Sequence, residues 1–257
     1  MGLIINNITF FSLVKREVSR FSKVAIQTIF APLISTGLYL IIFSYSFQNR
    51  EVAGYGIPYI DFIVPGLIMM SLIQNSFANT SSSLIGAKYN GIIIDFLLAP
   101  FSYIELTLGF MIGGMVRGML VGSVTYLVAT LFYGGAVAHP FLAIFFAILV
   151  SSIFSLFGIV AGLWAEKFDH VSIFSNFFIT PLTFLSGVFY SVKGLPGIWS
   201  EVSLFNPVFY MVDAVRFAFV GQSDIEPAFS ALIISSLTVI LLLVVTYLFK
   251  IGYKVKS

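Results

Sequence analysis

The chain has 257 residues, of which 59% are hydrophobic and only 9% charged, with a formal net charge of +2. A soluble domain carries roughly 45–50% apolar and about 25% charged residues, so a soluble fold is excluded and lipid is the solvent for most of this chain. Nothing in the charge points to nucleic acid, and the absence of cysteine excludes disulfides and thiolate metal sites.

In chain order, residues 1–23 come first. Phe10, Phe11, Leu13, Val14, Val18 and Phe21 alternate with Lys15, Arg16, Glu17 and Arg20 at helical spacing. This pattern predicts an interfacial helix, apolar face down and basic face toward anionic lipid. A spanning helix needs around 20 mostly apolar residues. Six such runs follow: Val24–Phe47, Phe62–Leu84, Ile104–Phe132, Phe141–Trp164, Val171–Tyr190 and Ala228–Phe249. The first is long enough to span, so no cleaved signal peptide is expected. A Gly- and Pro-bearing stretch from Tyr133 through Gly135 to Pro140 predicts a tight hairpin between the third and fourth. The fold class is therefore an all-α integral membrane protein of six transmembrane helices, a single domain over 1–257.

Lys15, Arg16, Arg20, Lys23, Lys88, Lys167, Lys250, Lys254 and Lys256 fall on one side of this topology. The other side has Arg50, Lys193 and Arg216 diluted by six carboxylates, so both termini are expected in the cytoplasm.

Polar groups inside hydrocarbon need partners or a wet cavity. Ser71, Gln74, Asn75 and Asn79 recur at three- and four-residue steps in the second run, and Asn176, Thr180 and Thr183 do so in the fifth, where Pro181 predicts a kink. These rows read either as a substrate pathway or as interhelical hydrogen bonding that holds the bundle. Gly109, Gly113, Gly114, Gly118 and Gly122 form overlapping G-x-x-x-G spacings, repeated by Gly158 and Gly162, a signal of close helix packing. Arg117 stands mid-span, and its partner is not readable from sequence. No G-x-x-x-x-G-K-[ST], H-E-x-x-H or G-x-S-x-G occurs, and His139 and His170 are the only histidines. The spans hold almost no carboxylates away from their ends, so a proton-relay pump is not expected.

The segment Leu84-Ile85-Gly86-Ala87-Lys88-Tyr89-Asn90-Gly91-Ile92-Ile93-Ile94-Asp95-Phe96-Leu97-Leu98-Ala99-Pro100 resembles the coupling loop of ABC type-2 (ABC-2) transporter permeases. Pro65-Gly66 is similar to the family's entry into the second span. Pro181 through Ser191 with Leu195-Pro196 is similar to its fifth span and re-entrant outer segment. Asn206-Pro207-x-x-Tyr210-x-x-Asp213-x-x-Arg216 is similar to its signature before the last span. The resemblance implies a small bacterial drug, polysaccharide or lipid exporter permease in the inner membrane. It implies a coupling helix over 85–99 that docks an ATPase through Gly86, Lys88, Tyr89, Asn90, Gly91, Asp95 and Leu98. It further implies an outer re-entrant segment over 191–220, in which Asn206, Pro207, Tyr210, Asp213 and Arg216 brace or gate the outer end. Two ABC ATPase copies would bind the ATP and magnesium, leaving no cofactor, metal or catalytic residue in this chain. A second permease copy, identical or paralogous, would complete the dimer. A self-contained secondary transporter or channel is the alternative; an intramembrane lipid enzyme lacks the ionisable pair it would need.

Overall fold

The computed structural model describes residues 7–47, 50–52, 54–134, 136–195 and 197–254. Gly135, Pro196 and Lys256, used above for the hairpin, the outer motif and the charge bias, lie outside the described residues. Helices dominate: α1 (Asn7–Ser22), α2 (Ala25–Ser46), α3 (Tyr59–Tyr89), α4 (Ile93–Leu98), α5 (Tyr103–Ala129), α6 (Pro140–Trp164), α7 (Phe168–Phe174), α8 (Thr180–Phe184), α9 (Ile198–Leu204), α10 (Pro207–Val220) and α11 (Pro227–Ile251). Among the described residues, extended pairing is confined to one isolated bridge, Glu51 with Pro58.

The helix ends follow local chemistry. Ser102 opens α5 with a capping box: its hydroxyl accepts from the Glu105 N–H (3.1 Å), and the Glu105 carboxylate accepts from the Ser102 N–H (2.5 Å). Pro140, Pro207 and Pro227 stand at the first positions of α6, α10 and α11, where a missing N–H costs nothing. Gly221 and Gly252 close α10 and α11 in the left-handed conformation.

Among the described residues five helices, α2, α3, α5, α6 and α11, are long and apolar enough to cross a membrane. The fifth predicted run differs from a plain span. It is a helical stretch from Phe168 to Phe184 whose middle, Ser175–Ile179, winds as a π-turn. Pro181 explains the irregularity, because it offers no N–H to the turn before it. After it the chain makes a short 3₁₀ turn, Val192–Gly194, and then α9 and α10, which meet at an 83° bend.

α3 is the axis of the bundle. Of its most apolar stretch 78% is buried, against 17% for α2 and 22% for α11, which therefore form the periphery. The exposed side chains there, such as Phe30, Ile34 and Leu38 on α2 and Leu232, Val239 and Leu243 on α11, are apolar, as a lipid-facing surface requires. α5 and α6 press against α3 through glycine. A Cβ on Gly158 would lie 2.5 Å from the Phe77 carbonyl, and one on Gly162 would lie 2.8 Å from the Leu84 side chain. At that contact Thr80 Oγ1 donates to the Ser155 carbonyl at 2.8 Å. Close backbone approach and an interhelical hydrogen bond thus occur together.

Candidate functional sites

Two ends and a middle carry the chemistry. At one end, α3 runs unbroken through Gly86, Lys88 and Tyr89; Asn90 is its C-cap, and Gly91 turns the chain at φ +72° into α4. The predicted 85–99 segment is therefore the last turn of α3, a glycine turn and a six-residue helix. Ile93 and Phe96 of α4 point inward, whereas Tyr89 (77% exposed), Ile94 and Leu98 (80% exposed) face out, together with Asp95. Lys88 turns back instead. Its ammonium donates to the Leu163 carbonyl and, at 2.9 Å, to that of Ala165, satisfying the last carbonyls of α6. Beside it, Lys254 donates to the Trp164 carbonyl (3.3 Å) and pairs with Glu166 (2.7 Å). That hydrogen bond and charge hold the Glu166 carboxyl below the usual carboxylate range and raise the Lys254 ammonium.

α1 docks at this same end. Thr9 donates to Glu105 (3.2 Å), a Cβ on Gly109 would meet the Leu13 side chain, and one on Gly113 would meet Glu17. Each contact advances four residues in both helices, so α1 runs parallel to the first half of α5. Its buried stripe is Leu13, Glu17 and Phe21, while Ile8, Phe11 and Lys15 are exposed. Glu17 is fully buried, yet it is answered by Arg16 (2.8 Å), Arg20 (3.5 Å) and the Ser83 hydroxyl (2.9 Å). Arg16 also lies 4.7 Å above the Phe96 ring, which ties α1 to α4.

The polar row of α3 reaches three different neighbours. Ser71 meets Thr36 of α2 (3.4 Å), and with Gln74 it lines a cleft of 230 Å³ between α2 and α3. Asn75 accepts from Arg117 of α5 (3.4 Å) and donates to the Ser71 carbonyl. Asn79 accepts two bonds from Arg20 of α1, at its carbonyl (2.6 Å) and at Oδ1 (2.8 Å). The row of the fifth run is not brought to these groups. Asn176 is exposed in the π-turn, Thr180 is half-buried, and Thr183 donates to the Ile179 carbonyl.

The other end is closed over the start of α3. The Tyr59 hydroxyl donates to the Phe189 carbonyl (2.7 Å), and Val188 fills the space over Gly66. Arg216 is fully buried. It stacks 3.8 Å over Phe62, donates to the Gly187 carbonyl (2.5 Å), and lies 3.9 Å from Asp213. Asp213 in turn accepts from the Asp224 and Ile225 N–H groups. Asn206 caps α10 beside Pro207 and donates to the Leu182 carbonyl, and Tyr210 reaches the Leu204 carbonyl. These bonds strap α10 to α3, α8 and the turn before α11.

Sequence reasoning missed three partners: Glu17 with Ser83, Arg20 with Asn79, and Lys88 with the end of α6. The four-residue step shared by Leu13–Glu17 and Gly109–Gly113 could have placed α1 on α5, but nothing in it pointed to Ser83. Residues 8–220 match the ABC-2 type transporter family. The chain is 38% identical over 210 residues, 82% of each chain, to the inner membrane transport permease YadH of Escherichia coli strain K12. It is 24% identical over 166 residues to nodulation protein J of Sinorhizobium fredii, covering 63% of this chain and 62% of that one. With nodulation protein J of Rhizobium leguminosarum bv. viciae it shares 26% identity over 176 residues, 65% of each. The chain therefore belongs to the ABC-2 type transporter family and is a membrane-spanning transport protein.

Proposed function

We propose that this chain is the permease subunit of an ATP-driven exporter in the bacterial inner membrane. Two copies of a separate ABC ATPase bind ATP and magnesium, and a second permease copy forms a homodimer. The cargo is an amphipathic molecule leaving the cytoplasm or the inner leaflet. The observation that carries this reading is the α3–α4 turn. In a chain of this family it presents Tyr89, Ile94 and Leu98 to the outside beside Asp95. It stands at the end where Lys15, Arg16, Arg20, Lys23, Lys88, Lys167 and Lys254 gather, the cytoplasmic end by the positive-inside rule. Apolar side chains held in water on a short helix fit a protein contact rather than a loop. Asn176, exposed in the single chain, suits the face toward the second copy.

The test is co-expression with an ABC ATPase subunit, reconstitution in lipid and measurement of ATP turnover and export. Leu98→Asp and Ile94→Asp place a charge where an apolar contact is expected and should lower ATPase retention by about tenfold or more. Gly91→Arg also bears on this turn, but at φ +72° it strains the backbone as well. Export that proceeds without ATP, or ATPase binding indifferent to both aspartates, would overturn the reading in favour of a self-contained transporter.

A further inference from the structure

At the end opposite the α3–α4 turn, the α2–α3 connection, the 3₁₀ turn and the α10–α11 turn meet around a pocket of 350 Å³. It is lined by Tyr55 from the first, Ser191 and Lys193 from the second, and Gln222, Ser223 and Asp224 from the third. The strap around Arg216 fixes its floor. The Asp224 N–H donates to Asp213 at 2.8 Å, and Asp213 stands beside the buried Arg216, so the turn that carries Asp224 has a set place. The Asp224 side chain is only 3% exposed, and a carboxylate placed so deeply needs both oxygens answered. Its Oδ1 is met by the Lys193 ammonium at 3.6 Å, an ion pair beyond hydrogen-bond reach, and that lysine is 67% exposed. Its Oδ2 is buried and has no hydrogen-bond partner among the described residues.

Tyr55 repeats the deficit. It is 8% exposed, its ring packs edge-on against Phe62, and its hydroxyl likewise has no hydrogen-bond partner among the described residues. Burial raises the phenol above its ordinary range, with Arg216 opposing and Asp224 and Asp213 adding, so the hydroxyl keeps its proton and can both donate and accept. The charges decide what the two open atoms can take. Asp213 is balanced by Arg216 and by two N–H groups, which leaves Asp224 with the loosely held Lys193 alone. An anion would meet a buried carboxylate, whereas a cation that displaces Lys193 keeps the balance. Lys193 itself shows that an ammonium comes to this carboxylate; tethered to its turn, it stops 3.6 Å from Oδ1 and leaves Oδ2 unmet. An untethered primary ammonium has three donors, enough for Oδ2, the Tyr55 hydroxyl oxygen and one acceptor among Ser191, Ser223 and Gln222.

We propose that this pocket binds a primary ammonium group between Asp224 and Tyr55, with Lys193 as the built-in competitor that the ligand displaces. The ammonium belongs to an aminated lipid head group or to a soluble amine, which offer the same chemistry. Binding needs neither an ATPase nor export, so it stands or falls apart from the function proposed above.

The purified full chain in phosphatidylcholine nanodiscs, in a buffer without primary amines, is titrated with n-butylamine hydrochloride and with n-butanol, and binding is followed by ligand-observed NMR. The wild type should bind the ammonium about tenfold more tightly than the alcohol. Asp224→Asn should remove that preference. Lys193→Met takes away the competitor and should tighten amine binding by about threefold or more. Tyr55→Phe, which removes one hydroxyl and no charge, should weaken it by about fivefold and serves if Asp224→Asn does not fold. Glu201→Gln, at an exposed carboxylate of α9, should leave it unchanged. Competition by phosphatidylethanolamine in the disc assigns the ammonium to a head group, and competition by free ethanolamine alone assigns it to a solute. Equal binding of amine and alcohol by the wild type, a preference that survives Asp224→Asn and Tyr55→Phe, or amine binding that weakens in Lys193→Met overturns the proposal.

Discussion

Lys88 shows how one cation serves a helix other than its own. The last carbonyls of α6 have no partners within the helix, and the ammonium reaches two of them while meeting the negative end of the helix dipole. Lys88→Met should lower the unfolding free energy by about 1–2 kcal/mol, and Lys88→Arg should restore most of it, as read by denaturation in mixed micelles. The neighbouring Glu166–Lys254 pair sets a pH dependence. Glu166 has its carboxyl lowered from an ordinary 4.5, so its contribution is present above that value and lost as pH falls through the lower folded one. Lys254 is raised from 10.5, so its contribution holds below that value and disappears only in stronger alkali. A melting-temperature difference between wild type and Glu166→Gln should accordingly be flat from pH 6 to 9 and shrink below pH 4.5. A difference that grows on acidification would contradict the pairing.

Among the elements, α1 depends on two glycines of α5. A side chain at Gly113 would begin 2.5 Å from Glu17 Cβ, closer than real atoms come. Gly113→Leu should therefore expel α1 and cost about 1–3 kcal/mol by overpacking. A Cβ at Gly37 on α2 meets nothing within 4 Å, so Gly37→Ala should be silent. Limited proteolysis near Lys23 distinguishes the two. The apolar periods named the positions of α2, α3, α5, α6 and α11, because a spanning helix needs only local composition. The π-turn in the fifth run was less legible. Proline announces a break, but the packing of Phe174 on Phe77 belongs to the tertiary structure.

At the scale of the whole molecule, the polar row of α3 marks where legibility ends. Its three- and four-residue steps put Ser71, Gln74, Asn75 and Asn79 in one row. Periodicity cannot say what covers a face. Ser71 looks to α2, Asn75 to α5 and Asn79 to α1, so one row divides among three neighbours. Lys88 was legible as an orientation charge and, by resemblance, as a docking residue, but not as a partner of α6, since the carbonyls it meets lie about 75 residues further along the chain.

The length of α3 has a mechanical consequence. Its 31 residues measure about 46 Å, well beyond the roughly 30 Å of hydrocarbon it crosses. No proline interrupts it from Gly66 to Tyr89, and packed neighbours clamp it along that length. One tip carries the turn into α4, and the other holds Tyr59, Phe62 and the strapped Arg216. Such an element transmits force as a stiff rod does. A thrust on the exposed turn would arrive at the far cap as tilt or translation of the entire shaft, so the two ends of the protein are mechanically coupled.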